Sequence, residues 1–209
     1  MRTKFLIFLC LFAVVFLNCK KKKKKWKEVS MEKDFIEYVD AKNASWFVFK
    51  DTVSGNMDTL TVSEYKFEVK EFSEENTRSE NISYNMSSKY FKSFNLSSDV
   101  NSGYYSLLPW EINSTGQKVY LDYAFYFFSP ASIGDSEPSY GGSRYNVHYD
   151  SIQIQGKYFM DVREFVLVNQ GTQDLRGIRK ILWARHVGII FKEYMSGEVW
   201  ELVNYYKAP

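Results

Sequence analysis

Few side chains in this sequence have the type and spacing that chemistry needs. There are two histidines, His148 and His186, and two cysteines, Cys10 and Cys19. A hydrolytic triad requires a nucleophile, a base and an orienting acid. His148 has Asp150 two residues on, which a strand places on the same face. Gly141-Gly142-Ser143 lies upstream, but it is not a Gly-x-Ser-x-Gly elbow, so Ser143 reads as a loop residue. His186 stands between Arg185 and Val187 and lacks the further His or Cys ligands of a zinc site; it reads as an exposed or satisfied strand histidine. Calcium needs only oxygen ligands. Asp51, Asn56 and Asp58 surround a turn, yet their spacing is not that of an EF-hand, and a plain hairpin is the better reading. Paired carboxylates could serve glycoside hydrolysis. Asp161 with Glu164, and Glu198 with Glu201, have odd spacings that strands place on opposite faces. There is no phosphate loop and no dinucleotide fingerprint. The expectation is a non-enzymatic chain with no cofactor and no metal.

The residue with the clearest chemistry is Cys19. Arg2 and Lys4 open the chain, Phe5 to Leu17 form an apolar run, and Asn18, Cys19 and Lys20 to Lys25 follow. A transmembrane helix needs roughly 20 apolar residues. This run is shorter and has the length and flanks of an export signal. The stretch resembles the lipobox of bacterial lipoproteins. The resemblance implies that residues 1–18 are a signal peptide, that Cys19 is acylated, and that the protein sits in the cell envelope as an outer-membrane lipoprotein. Stable anchoring takes two lipid signals, and the diacylglyceryl group plus amide-linked chain of that family would supply them. The lysine run reads either as added attraction to anionic head groups or as a solvated spacer. A second reading of the leader is a short uncleaved anchor with the domain left in the cytoplasm.

Charge follows the same division. The chain carries 27 basic and 25 acidic residues; eight of the basic ones and none of the acidic ones fall in residues 1–25. From Trp26 onward the balance is therefore 19 against 25, a net −6. Nucleic-acid binding, which normally needs a basic face, is not expected of the domain. With Cys10 lost in the leader and Cys19 acylated, no disulfide and no free thiol is expected.

The elements that must carry these residues are strands. Aromatic residues are 18% of the chain, which favours sheet and argues against disorder. Trp46 to Phe49, a turn at Ser54-Gly55-Asn56, and Thr59 to Val62 read as a hairpin. Tyr65, Phe67 and Val69 alternate with charged residues, predicting one buried and one wet face. Ile82, Tyr84 and Met86 repeat the pattern. Tyr90 to Phe94 and Tyr104 to Leu108 are further strands, the latter stopped by Pro109. Val119 to Phe128, apolar on both faces, is expected to be a central strand or to line a cavity. Tyr145–Gln155 and Tyr158–Val168 flank a turn near Gly156. Ile178–Ala184, Val187–Glu193 and Val199–Tyr206 close the chain, and Gly188 marks a bulge or close packing. Trp26 to Val39 fits either a short helix or a tether. The prediction is a mainly β chain, with an antiparallel sheet forming a sandwich or a curved barrel-like domain. Residues 19–33 would be the lipidated cysteine and Lys-rich tether, and 34–209 a single β-rich domain. Trp46, Trp183, Trp200 and Leu202 are expected in its core.

Two stretches carry a resemblance. Trp46-Phe47-Val48-Phe49-Lys50-Asp51 with Ser54-Gly55 and Asp58-Thr59 is one. The other is Trp183-Ala184-Arg185-His186-Val187-Gly188-Ile189-Ile190 with Glu193, Gly197 and Trp200-Glu201-Leu202. Both resemble a family of lipoproteins from Bacteroidetes-type bacteria, and the resemblance implies no activity. The tail is also similar to periplasmic proteins with a curved, lipoprotein-carrier type of sheet. Two functional classes follow: a membrane-displayed binding or interaction module, or a carrier of a lipid or other apolar ligand. The membrane lipid reached through Cys19 is the expected partner, with a protein or an apolar ligand as the further one. Ser129 to Ser143 is a long Ser-, Gly- and Pro-rich loop, a length uncommon unless functional or disordered. It reads as a flap with Tyr140 as its contact residue, or as a surface insertion.

Overall fold

The computed structural model describes residues 25–73, 76–89, 94–101, 104–112, 114–120, 125–128, 143–167 and 178–209. Cys19, Tyr140, the leader and the loop at 129–142 lie outside the described residues.

The chain is mainly β, and its strands form one curled, mixed sheet in the shape of a half-barrel. The elements in order are β1 (Lys27–Val29), α1 (Lys33–Val39), β2 (Trp46–Asp51), β3 (Met57–Phe72), β4 (Thr77–Ser87), β5 (Phe94–Asn101), β6 (Tyr104–Ile112), β7 (Lys118–Tyr120), β8 (Phe125–Phe128), β9 (Ser143–Ile154), β10 (Lys157–Leu167), β11 (Ile178–Ala184), β12 (Gly188–Tyr194) and β13 (Val199–Tyr206). Across the sheet they run β7-β6-β5-β4-β3-β2-β13-β12-β11-β10-β9, with β8 also on β6 and β1 on β4. The β1–β4 pair is parallel and the others are antiparallel. The sheet thus begins at Lys27, inside the stretch assigned to the tether.

The alternation of the sequence becomes the inner face. Phe47 and Phe49 of β2, Leu60 and Val62 of β3, and Ile82, Tyr84 and Met86 of β4 are buried. α1 has only seven residues, and its N-cap Glu32 makes no side-chain cap bond. A helix this short does not hold itself together in water. It exists because Phe35, Tyr38 and Val39, spaced i, i+3, i+4, are buried on the concave side of the sheet. There Phe127 of β8 packs edge-on to Phe35 at 5.4 Å and to Trp183 at 5.3 Å, and lies 5.0 Å from Phe165.

Several expectations are corrected. Pro109 does not stop β6, which pairs with β5 through Leu96 opposite Pro109 and runs on to Ile112, with residues 105–107 on β8 and 110–112 on β7. Val119–Phe128 is not one central strand but contributes two short ones, β7 and β8, both on β6. Trp46 is half-buried and stacks on Tyr206 at 6.1 Å, whereas Trp183, Trp200 and Leu202 are core residues as expected. Phe67 and Val69 are half-exposed, because β3 and β4 run on beyond the packed core. Gly188 has φ +111°, a backbone conformation that calls for glycine, whereas a Cβ there would make ordinary contact with the Phe47 ring at 3.4 Å.

Candidate functional site

The charged groups that the fold brings together lie at one rim of the half-barrel, around Asp161. This residue interrupts β10 with φ +50°, a left-handed conformation that Asp tolerates better than most residues. Its carbonyl accepts the Arg185 backbone N–H at 3.1 Å. Residues 185–187 form the turn between β11 and β12, with His186 at φ +61°. The kinked strand and the turn aim Asp161 and Arg185 at each other and at α1.

α1 supplies the other half. Asp34 and Glu37, one turn apart, face the Arg185 guanidinium. Its Nε donates to Glu37 Oε2 at 2.6 Å, Nη2 to Asp34 Oδ1 at 2.8 Å, and Nη1 to Asp161 Oδ2 at 3.2 Å. The Tyr38 hydroxyl donates to Asp161 Oδ1 and accepts from Arg163 Nε at 3.1 Å. His148 Nε2 lies 2.7 Å from the same Asp161 oxygen. The His186 backbone N–H donates to the Glu37 carbonyl at 2.8 Å, and the Trp183 indole N–H to the Tyr38 carbonyl at 2.9 Å.

These contacts fix the protonation states. Burial pushes the Tyr38 hydroxyl well above its ordinary range, and its bond to the ionised Asp161 adds to this, so it stays protonated. Burial also works to raise the Asp161 carboxyl, but hydrogen bonds from Tyr38, His148 and Arg185 outweigh it and hold the carboxyl below its usual value. The Arg185 hydrogen bond holds Glu37 low. The cluster is an ion-paired clamp that seats α1 across the sheet. A tyrosine kept protonated is a poor nucleophile, and carboxylates kept ionised are poor acids. Among the described residues no group of His, Cys, Asp and Glu is arranged to hold a metal.

The sequence-level candidates distribute as follows. His148 takes Asp161 of the neighbouring strand, not Asp150, as its partner. Ser143 stands five residues from His148 along extended β9, roughly 17 Å away, so no triad forms. His186 is an exposed turn residue near Glu37. Asp161 and Glu164 are separately engaged, Glu164 by the Tyr149 hydroxyl at 3.0 Å and by Lys180. Asp51 accepts the backbone N–H groups of Val53 and Ser54 and the Ser54 hydroxyl, which makes the turn a hairpin cap.

Asp58 belongs to a second cluster, which sequence reasoning missed. Lys192 of β12 is fully buried, with Nζ 3.9 Å from Asp58 Oδ2 and 3.9 Å from the Phe49 ring centroid. Ser88 donates to the same Asp58 oxygen at 2.8 Å. The signal was present in the sequence: Ile190 and Tyr194 are inward at period two, and Lys192 lies between them on the same face.

Beneath α1 the concave side keeps a cavity of about 10 Å³ between Tyr38, Phe47, Tyr84, Trp183 and Ile189. That is the size of one water molecule.

Asp161→Asn tests the clamp, because Asn keeps the shape and tolerates the same backbone conformation. Hydrogen bonds to charged groups contribute about 1.5–3 kcal/mol each, and three donors converge here. A loss of about 2 kcal/mol or more in urea unfolding at pH 7 is the expected result. With Asp161 and Glu37 both held below their ordinary values, this stability is present above the unfolded carboxylate range and is lost as pH falls through the folded one. The variant should therefore lose less stability on acidification than the wild type.

No family model, no curated protein and no solved structure matches the chain.

Proposed function

We propose that the protein is an envelope lipoprotein anchored through acylated Cys19, and that its β domain is a non-catalytic binding or interaction module. The anchor rests on the basic start, the apolar run and the cysteine that ends it. The observation that favours an interaction module over a carrier is the position of α1. A pocket for an apolar ligand takes some hundreds of Å³, and Phe35, Tyr38 and Val39 occupy that side of the half-barrel, clamped there through Arg185 and Asp161.

Intact mass of the protein extracted from membranes tests the anchor. The expected species begins at Cys19 and carries acyl chains. The Cys19→Ala protein is expected to leave the detergent-rich phase on phase separation. A mass that retains Met1 to Asn18 with no acyl addition overturns the reading.

A further inference from the structure

The hairpin of β3 and β4 carries its core-side face out past the core. Register sets Phe67 opposite Ile82, Val69 opposite Glu80 and Glu71 opposite Arg78. Ile82 is fully buried, but Phe67 is 50% exposed and Val69 55%. Trp26 lies at the same end, with the Arg78 guanidinium 5.0 Å from its ring centroid. β1 starts at the next residue, with Lys27 opposite Thr77. The charged groups around this strip are engaged, with Lys27 and Arg78 against three carboxylates, Glu28, Glu71 and Glu80. Arg78 pairs with Glu71 at 2.8 Å and with Glu28 at 3.5 Å, and Glu80 accepts the Met31 backbone N–H at 2.7 Å. The result is a strip of low net charge with two exposed apolar side chains and an indole, in a domain of net −6 from Trp26 onward.

We propose that Phe67, Val69 and Trp26 form a surface that docks on the lipid bilayer, an inference that rests on the lipoprotein reading. Three observations choose a bilayer as the occupant. First, eight residue steps separate Cys19 from Lys27, and a chain extends by at most about 3.6 Å per residue. An acylated Cys19 therefore keeps this end of the domain within about 29 Å of the head groups. Second, Lys20 to Lys25 and Lys27 lie along that path and attract anionic lipid, while the net-negative remainder of the domain is repelled. The two forces together turn the β3–β4 end toward the membrane. Third, an indole beside exposed apolar side chains is the composition that partitions into the membrane interface.

The test compares Val69→Cys with Val53→Cys in the full chain, each labelled with an environment-sensitive fluorophore. Val53 is 85% exposed in the turn at the far end of β3. With Cys10 removed in the leader and Cys19 acylated, each introduced thiol is unique. The proteins are reconstituted into phosphatidylethanolamine–phosphatidylglycerol vesicles with and without nitroxide-labelled lipid. The expected result is a blue-shifted probe at position 69 that nitroxide lipid quenches, and a solvent-like, unquenched probe at position 53. Adding Phe67→Asp to Val69→Cys should reduce the quenching while the melting curve is unchanged. An acylated protein whose two probes are equally wet overturns the docking surface and leaves the anchor standing. A blue shift at 69 without nitroxide quenching assigns the strip to a second copy or a protein partner, and likewise overturns it. An unacylated mass removes the anchor and the docking surface together.

Discussion

Trp183→Ala is expected to lower the unfolding free energy by about 3–5 kcal/mol, the range for deleting a large core aromatic, and to loosen α1 before the rest of the sheet. Trp183 is 2% exposed and lies 5.3 Å from Phe127 and 6.1 Å from Phe125. Its indole N–H also donates to the Tyr38 carbonyl at 2.9 Å. The residue is therefore both the floor on which the helix rests and one of its hydrogen-bond anchors. Removing it widens the small cavity beneath Tyr38 and takes away one side of the aromatic stack. Trp183→Phe shifts the balance between the two roles, since it keeps a six-membered aromatic ring in the stack while the N–H goes with the rest of the indole. That variant should cost about 1 kcal/mol for the lost bond, plus the penalty of an unmatched carbonyl. Urea melts measure both substitutions, and amide exchange across residues 33–39 locates the loosening. Melts of Trp183→Ala that match the wild type would refute the central place given to this side chain.

The case of Trp183 also separates what was legible in the sequence from what was not. Its burial could be read from the run Ile178 to Ala184, as could the hairpins closed by Gly55, Gly156 and Gly197. Period-two patterning and turn chemistry are local signals, and most of this sheet is built from neighbouring hairpins. The partner of Trp183 could not be read. α1 has seven residues, fewer than a periodic pattern needs, and Tyr38 lies 145 positions away from Trp183 in the chain. The rim clamp was hidden for the same reason, since Asp161 meets Tyr38 across 123 positions. In the sequence Arg185 is only a member of a motif, and His186 reads as a strand histidine without metal partners. Their role depends on a turn that points them at a helix that local pattern does not distinguish from a tether. Pro109 shows the converse failure. A local rule, that proline ends a strand, is overridden by the pairing of β6 with β5 along its length and with β7 and β8 on its other side. Phe67 and Val69 fall between these cases. Their alternation was correct, but alternation states which residues share a face and not where the core ends.

Lys192 yields the second large effect, a stability that rises with pH through the alkaline range. Its amine is fully buried against the Phe49 ring, with the Trp200 ring 5.8 Å away. Removal from water disfavours the charged form, and the Asp58 carboxylate at 3.9 Å opposes this only in part. The balance lowers the amine from its ordinary 10.5 to about 7. In the unfolded chain it titrates near 10.4. Below pH 7 both states hold the proton, and the penalty of the buried charge is fully present. Between about 7 and 10.4 only the unfolded state holds it, so stability should climb by up to about 1.4 kcal/mol per pH unit, or about 2 kcal/mol from pH 7 to 9. Burial also lowers Lys207, which adds to the climb in the same direction. Above pH 10 the sign reverses. Tyr38, Tyr65 and Tyr84 are held above their ordinary values in the fold, so the unfolded chain loses those protons first and stability falls. Urea melts at pH 7, 8 and 9 measure the slope, and Lys192→Met should remove most of it whatever its effect on absolute stability at pH 7. A wild-type stability that is level or falling over that interval, or a Lys192→Met protein with an undiminished slope, would show that the amine is charged in the fold.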